Sequence, residues 1–209
     1  MASGATHPLR AVDLGCGEGT WTAMAATTAR QAGIDITIVG FDWSLAALDQ
    51  ARGRGLPVVR GSVEHPGIPF GTDSVDIVIV SEIIEHLVDP DTALREARRV
   101  LVPGGRLLLS TPNLAAWYNR GLLLLGVQPM FTEVSLQGIY GRPGHEVVGH
   151  LRVFTRRALA AMLVAHGFLD VTITGAPYHD VPRPLRPLDR LLCRTPSLSS
   201  ILLASATAP

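Results

Sequence analysis

Apolar residues in this chain fall in short runs separated by helix-like stretches, and the alternation is regular. Residues 9–14 (LRAVDL) read as a first strand with a carboxylate, Asp13, near its end, and residues 20–32 as an Ala-rich helix. Residues 34–41 are β-branched and apolar, a buried strand running into Asp42. Ser44 is placed to cap a helix over 45–54, with Gly53 and Gly55 marking its end. A short third strand is expected over 56–60 and a fourth over 75–80 (VDIVIV), the latter after the turn residues Gly71, Thr72 and Asp73. Residues 91–100 keep their charges on one face, which predicts an amphipathic helix. Pro103, Gly104 and Gly105 read as a hard stop before a fifth strand at 106–110. Apolar strands joined by helices predict a parallel, doubly wound sheet with both faces covered.

After residue 110 the pattern changes. Residues 111–149 mix Pro, Gly, aromatics and one hydrophobic patch without a clean period, and read as a cap or insertion. The alternation resumes with a helix over 155–166 capped by Thr155, a stop at Gly167 and a strand over 168–174. A Pro- and Arg-rich segment, 182–190, leads through a short helix to a last strand at 200–206. The expected fold class is therefore α/β, a doubly wound, mostly parallel sheet of seven strands with a cap after the fifth. Residues 1–209 form a single domain in this reading: a core at 9–110, a cap at 111–154, and a C-terminal helix and strand pair at 155–209.

A length of 209 residues suits one domain with one substantial core. The 18 basic and 18 acidic side chains cancel, and no basic cluster is interleaved with aromatics, which argues against a nucleic-acid partner. Two cysteines, Cys16 and Cys193, are too few for a disulfide framework, and no signal peptide is visible, so a reducing cytoplasm is expected. Mean hydropathy is +0.28, yet no apolar run approaches the roughly 18 residues of a spanning helix. Residues 122–127 read as lid or core packing, with peripheral membrane contact as the alternative.

The stretch from Val12 to Thr20 (VDLGCGEGT) carries the most chemistry. Alternate glycines let a strand turn sharply into a helix while main chain approaches a ligand closely. Gly15 and Gly17 fit the dinucleotide pattern G-x-G-x-x-G, but Thr20 holds the third glycine position and Gly19 falls one residue early. That disfavours an NAD-dependent oxidoreductase. The form D-x-G-x-G-x-G resembles motif I of the class I S-adenosylmethionine (SAM) dependent methyltransferases. The likeness continues in order and spacing through Gly40–Ser44 (GFDWS), residues 70–80, 81–87 and 101–105. It implies a Rossmann-like fold binding SAM, with S-adenosylhomocysteine as product. It also implies that Asp13, Gly15, Cys16, Gly17 and Gly19 hold the methionine part, and that Asp42 takes the ribose. A carboxylate at a strand's end is chemically suited to accept two hydrogen bonds from a diol. Trp43 would lie beside the adenine, and Ser81 falls at the cofactor end of the fourth strand. One departure is Ser62, which stands where relatives often carry a carboxylate for the adenine amine; a hydroxyl can still bond there, with Val63 contributing main chain. Cys16 reads as a small packed residue, since no basic partner adjoins it in sequence.

Glu82-Ile83-Ile84-Glu85-His86 follows the fourth strand. On a helix, positions i, i+3 and i+4 share a face, so Glu82, Glu85 and His86 are expected to converge where an acceptor must lie. With His150 further on, the cluster is similar to that of the ubiquinone-pathway O-methyltransferases and the small-RNA 2′-O-methyltransferases. That resemblance implies a divalent metal held by Glu82, Glu85, His86 and His150. Two carboxylates suit Mg²⁺, while the imidazoles suit Mn²⁺, Fe²⁺ or Zn²⁺ as well. Without a metal, His86 is a general base or substrate contact, or the cluster caps the turn. Residues 111–126 resemble the MetW-like group, whose likeness opens another role: a SAM-binding protein that modulates a partner enzyme. Tyr118, Tyr140, Phe131, Met130 and His145 are candidates to line the acceptor site. Relatives usually carry one or two helices before the first strand, whereas motif I here begins about ten residues from Met1; a lid from 111–150, an open site or a shortened chain is expected. The reading is a SAM-dependent methyltransferase for a small molecule, with a hydroxyl oxygen as the preferred acceptor. An RNA acceptor is disfavoured by the neutral charge.

Overall fold

The computed structural model describes residues 8–65, 67–144, 147–178 and 181–209. Seven strands form one sheet: β1 (Leu9–Leu14), β2 (Ile36–Asp42), β3 (Val58–Arg60), β4 (Val75–Ser81), β5 (Leu101–Pro112), β6 (Leu169–Ala176) and β7 (Ile201–Thr207). Their order is β3-β2-β1-β4-β5-β7-β6. Strands β3 to β5 pair in parallel, and β7 is antiparallel to both its neighbours. The expected doubly wound α/β sheet is therefore present, with β7 as its antiparallel strand. The chain winds outward from β1 to β3 and then returns to place β4 on the other side of β1. That switch opens a crevice at the carboxyl ends of β1 and β4, where ligands bind in sheets of this kind.

The helices are α1 (Thr20–Gln31), α2 (Leu45–Gly53), α3 (Pro90–Val100), α4 (Trp117–Leu124), α5 (Arg156–Ala165) and α6 (Arg186–Leu192). The starts of α2 and α5 follow the expected capping chemistry, and α3 has a carboxylate cap. The hydroxyls of Ser44 and Thr155 accept from Ala47 and Ala158 N–H, and the Asp89 carboxylate accepts from Thr92 N–H. Helix α3 buries Leu94, Ala97 and Val100, exposes Arg95, and turns Arg99 back to donate to Glu96 and to the carbonyls of Ile68 and Phe70. Val12, Val78, Leu101, Leu107 and Leu202 join it in one continuous core.

Two local expectations are corrected. Pro103-Gly104-Gly105 does not stop the chain: β5 begins at Leu101, which pairs with Val75, and the next pair is Ile77 with Arg106. The intervening residues form a bulge inside a continuous strand, with Gly104 at φ 78°. The aperiodic cap also contains a helix, α4, tied down at its base by the Asn113–Phe154 bridge and by the Asn113 amide donating to Ser199 O. Beyond α1 part of one sheet face stays open, where Ile79, Leu108 and Leu203 line a trough of about 310 Å³. Among the described residues no helix is long and apolar enough to cross a membrane.

Candidate functional site

The turn after β1 is built on main chain. Gly15 and Cys16 N–H both donate to Phe41 O, at 2.7 and 3.2 Å, fastening the loop to the end of β2. Gly15 and Gly17 have φ values of 81° and 53°, the left-handed region that a side chain disfavours. Their surroundings differ. A Cβ on Gly15 would lie 1.9 Å from Ile83 Cδ1, whereas one on Gly17 would meet nothing within 4 Å. Gly15 thus seats the loop against Ile83, and Gly17 keeps a free space in front of the main chain.

Asp42 completes the turn. Its Oδ2 accepts from Gly17 N–H at 2.9 Å and its Oδ1 from Ser44 N–H at 2.8 Å. Each carboxylate oxygen keeps further acceptor capacity, as a ribose diol requires. Asp13 is 3 % exposed; one oxygen accepts from the Thr22 hydroxyl, and the other is buried without a hydrogen-bond partner among the described residues. Burial pushes its carboxyl up to about 6, aided by the Asp42 charge and opposed by Thr22. An orphaned carboxylate oxygen, the open space at Gly17 and the two-oxygen acceptor at Asp42 together fit SAM. Cys16 is half-buried, its thiol raised to about 12 by burial and by the charges of Asp13 and Asp42. It is no nucleophile at neutral pH.

The remaining cofactor candidates lie around this turn. Trp43 is 72 % exposed beside Asp42. Ser62 Oγ accepts from Glu64 N–H at 3.2 Å, and Val63 buries its side chain in the core, leaving its main chain for any ligand contact. Ser81 Oγ pairs with Ser110 Oγ at 3.1 Å across the ends of β4 and β5.

The second half of the site follows β4. The expected helix face is not formed: a single 3₁₀ turn spans Ile84–His86, and Glu82 precedes it at φ 51°, with an exposed side chain. Glu82 is not among the residues whose ligand atoms gather within 4.8 Å, although its charge acts on Glu85. Glu85, His86 and His150 do converge, with ligand atoms all within 4.8 Å of one another. Glu85 is 1 % exposed. Its Oε2 accepts from Thr111 Oγ1 at 2.9 Å, and its Oε1, 4.0 Å from His150 Nε2, has no hydrogen-bond partner among the described residues. Burial, reinforced by the charge of Glu82, lifts the Glu85 carboxyl to about 8.

Both imidazoles are held through main chain. His86 Nδ1 donates to Gly149 O and His150 Nδ1 to Phe131 O, each at 3.1 Å. A carbonyl only accepts, so Nδ1 carries the proton in both rings and Nε2 carries the lone pair. Burial lowers the His150 pKa, which keeps that ring neutral.

Glu133, which lies in the aperiodic cap, was not singled out by the sequence. It is nearly fully buried, pairs with Arg142 at 3.3 Å and accepts from the N–H groups of Val148, Gly149 and His150. It therefore shapes the strand of chain that carries His150. Thr111, which holds Glu85, was missed for a similar reason: neither has a neighbouring partner in sequence.

Of the acceptor candidates, Tyr118, Met130 and Phe131 line one apolar cavity. Tyr140 is 59 % exposed and lies elsewhere, and His145 falls outside the described residues.

A doubly wound sheet with this glycine loop, a strand-end carboxylate on the loop and a polar cluster past the fourth strand defines a methyltransferase-type domain. Residues 12–109 match the family described as a methyltransferase domain, and the chain is similar to SAM-dependent methyltransferases. It is 33 % identical over 166 residues to a ubiquinone/menaquinone biosynthesis C-methyltransferase of Rubrivivax gelatinosus, covering 77 % of this chain and 62 % of that protein. It is 33 % identical over 117 residues to a ubiquinone biosynthesis O-methyltransferase of Bordetella avium, covering 53 % and 46 %. The chain spans about half the length of the curated relatives it matches. SAM-dependent methyltransferase structures from Thermotoga maritima and Mesorhizobium loti share the fold. Their TM-scores are 0.66 and 0.61 at 18 % and 21 % identity, covering 96 % of this chain in both cases and 82 % and 91 % of theirs.

Proposed function

We propose that this chain transfers the sulfonium methyl of SAM to a hydroxyl oxygen of a small acceptor lying beside Glu85, His86 and His150. The observation that carries this reading is the seating of Ile83 on Gly15. That contact joins the loop suited to the cofactor to the loop bearing the polar cluster, so the two reactants would meet between them. Proximity and alignment supply most of the rate in such a displacement, because the sulfonium is already a strong electrophile. The acceptor oxygen provides the electron pair for the new C–O bond, and the C–S pair remains on sulfur as the thioether. One proton must leave the acceptor. His86 takes it at Nε2, since its Nδ1–H is committed to Gly149 O. The neutral His150 and Glu85 sit behind it and hold the ring's surroundings.

The likeness to an O-methyltransferase supports oxygen, and the likeness to a C-methyltransferase, equal in identity and longer in extent, supports carbon. The cluster supports oxygen, because it offers a base for a hydroxyl proton.

A second reading has the same residues hold a divalent ion. Both rings donate Nδ1–H to a main-chain carbonyl, as metal-ligating histidines commonly do, and Glu85 Oε1 has no hydrogen-bond partner among the described residues. With Glu82 outside the cluster, one carboxylate and two imidazoles suit Mn²⁺, Fe²⁺ or Zn²⁺ better than Mg²⁺. Such an ion would lower the pKa of the acceptor hydroxyl.

Calorimetric titration with S-adenosylhomocysteine, followed by methylation of catechol in EDTA and in Mn²⁺, tests both readings. Binding with EDTA-resistant turnover that His86→Gln abolishes supports the base. Turnover present only with the ion supports the metal. Absence of S-adenosylhomocysteine binding sinks the methyltransferase reading altogether.

A further inference from the structure

A cavity of about 450 Å³ lies behind Phe131. Helix α4 supplies one wall, through Trp117, Tyr118, Gly121, Leu122 and Leu125. These positions fall at i, i+1, i+4, i+5 and i+8, a single stripe along the helix. The facing wall comes from the chain between β6 and α6, around Tyr178 and Leu185. Among the described residues no charged side chain lines the space, and its volume lies in the range of small-molecule sites.

The cavity is adjacent to the polar cluster. Phe131 forms its inner wall, and the Phe131 ring lies 5.8 Å, centroid to centroid, from the His150 ring. The carbonyl of Phe131 is also the group that fixes His150 Nδ1. One aromatic residue therefore separates a polar, proton-handling cluster from an uncharged apolar chamber. A ligand spanning both would need a hydroxylated head and an apolar body.

Gly121 lies on the α4 wall of the chamber. It sits inside α4, where glycine is a poor helix former, and a Cβ built on it meets nothing within 4 Å. Packing does not require glycine there, and a larger side chain at this exposed position on the cavity wall has room to extend over the chamber.

We propose that this cavity binds the apolar body of the acceptor, and that Gly121 sets how large that body can be. The assignment rests on the methyltransferase reading for the identity of the ligand as an acceptor. It rests on the cavity alone for the apolar character of what binds.

The test is calorimetric binding of 4-alkylphenols from 4-methylphenol to 4-hexylphenol, with and without S-adenosylhomocysteine. Each added methylene buried in the cavity should tighten binding by about fourfold, which corresponds to about 0.8 kcal/mol, until the space is filled. Gly121→Leu should weaken 4-hexylphenol by about tenfold or more while leaving 4-methylphenol and S-adenosylhomocysteine nearly unchanged. The variant's thermal midpoint should hold or rise, since leucine is the better helix former. Leu125→Asp, at a site 79 % exposed, should also weaken the longer phenols selectively by placing a charge on the cavity wall. A flat chain-length series in the unmodified protein overturns the proposal, as does an equal loss across the series in Gly121→Leu. Chain-length dependence without any S-adenosylhomocysteine binding would leave the apolar site standing and remove the methyltransferase reading instead.

Discussion

Replacing Asp42 separates its role in holding the glycine loop from its role in holding a ligand. The carboxylate accepts from Gly17 and Ser44 N–H through different oxygens, and it is 8 % exposed. In Asp42→Ala both N–H groups lose their acceptor, which should cost about 2 kcal/mol of stability, since each lost bond in a half-buried setting is worth about 1 kcal/mol. In Asp42→Asn the amide oxygen keeps one of the two, so about half of that stability should return. Ligand binding should not return with it. Two hydrogen bonds from a ribose diol to a charged acceptor are worth about 1.5–3 kcal/mol each, or about 3–6 kcal/mol together. At about 1.4 kcal/mol per decade, S-adenosylhomocysteine affinity should fall by about 10²- to 10⁴-fold in both variants. The assay is calorimetric Kd for S-adenosylhomocysteine beside the urea midpoint of each variant. Wild-type affinity in folded Asp42→Asn would refute the diol assignment. So would an affinity loss that tracks stability from Ala to Asn.

The paired glycines should divide in the opposite sense. Gly15→Ala drives a methyl into Ile83 and should cost about 2 kcal/mol or more by overpacking, on top of about 1 kcal/mol for the left-handed backbone. Gly17→Ala should cost only the backbone strain, yet lose most S-adenosylhomocysteine affinity by filling the free space; thermal melts with calorimetry compare the two. Stability should also carry the mark of two buried carboxyls, Asp13 raised from 3.8 to about 6 and Glu85 from 4.5 to about 8. A raised carboxyl means that the folded state holds protons the unfolded chain has already released, so its contribution is largest at low pH and is lost as pH rises through the folded value. Stability in EDTA should therefore decline between about pH 3.8 and about pH 8, and Glu85→Gln should flatten the upper part of that decline; urea titrations across the range would show an unchanged slope if Glu85 stayed ionised.

What the sequence determined by itself was the part of the protein governed by local rules. The strand-then-helix order of residues 9–100, the caps at Ser44 and Thr155, and the glycine turn after β1 all follow from side-chain period, cap chemistry and backbone freedom within a few residues. Tertiary structure decided the rest. The antiparallel seating of β7 and the passage of β5 through Pro103–Gly105 depend on ladder pairing between distant strands. A helix-face argument placed Glu82 with Glu85 and His86; the structure has a single 3₁₀ turn there, and His150 joins Glu85 and His86 from 64 residues beyond His86. Glu133 and Thr111 hold that arrangement through buried hydrogen bonds, and Gly121 lines a chamber whose other wall lies between β6 and α6. Contacts of that kind leave no period in the sequence. They exist only once folding has removed the competing water and brought the partners within reach.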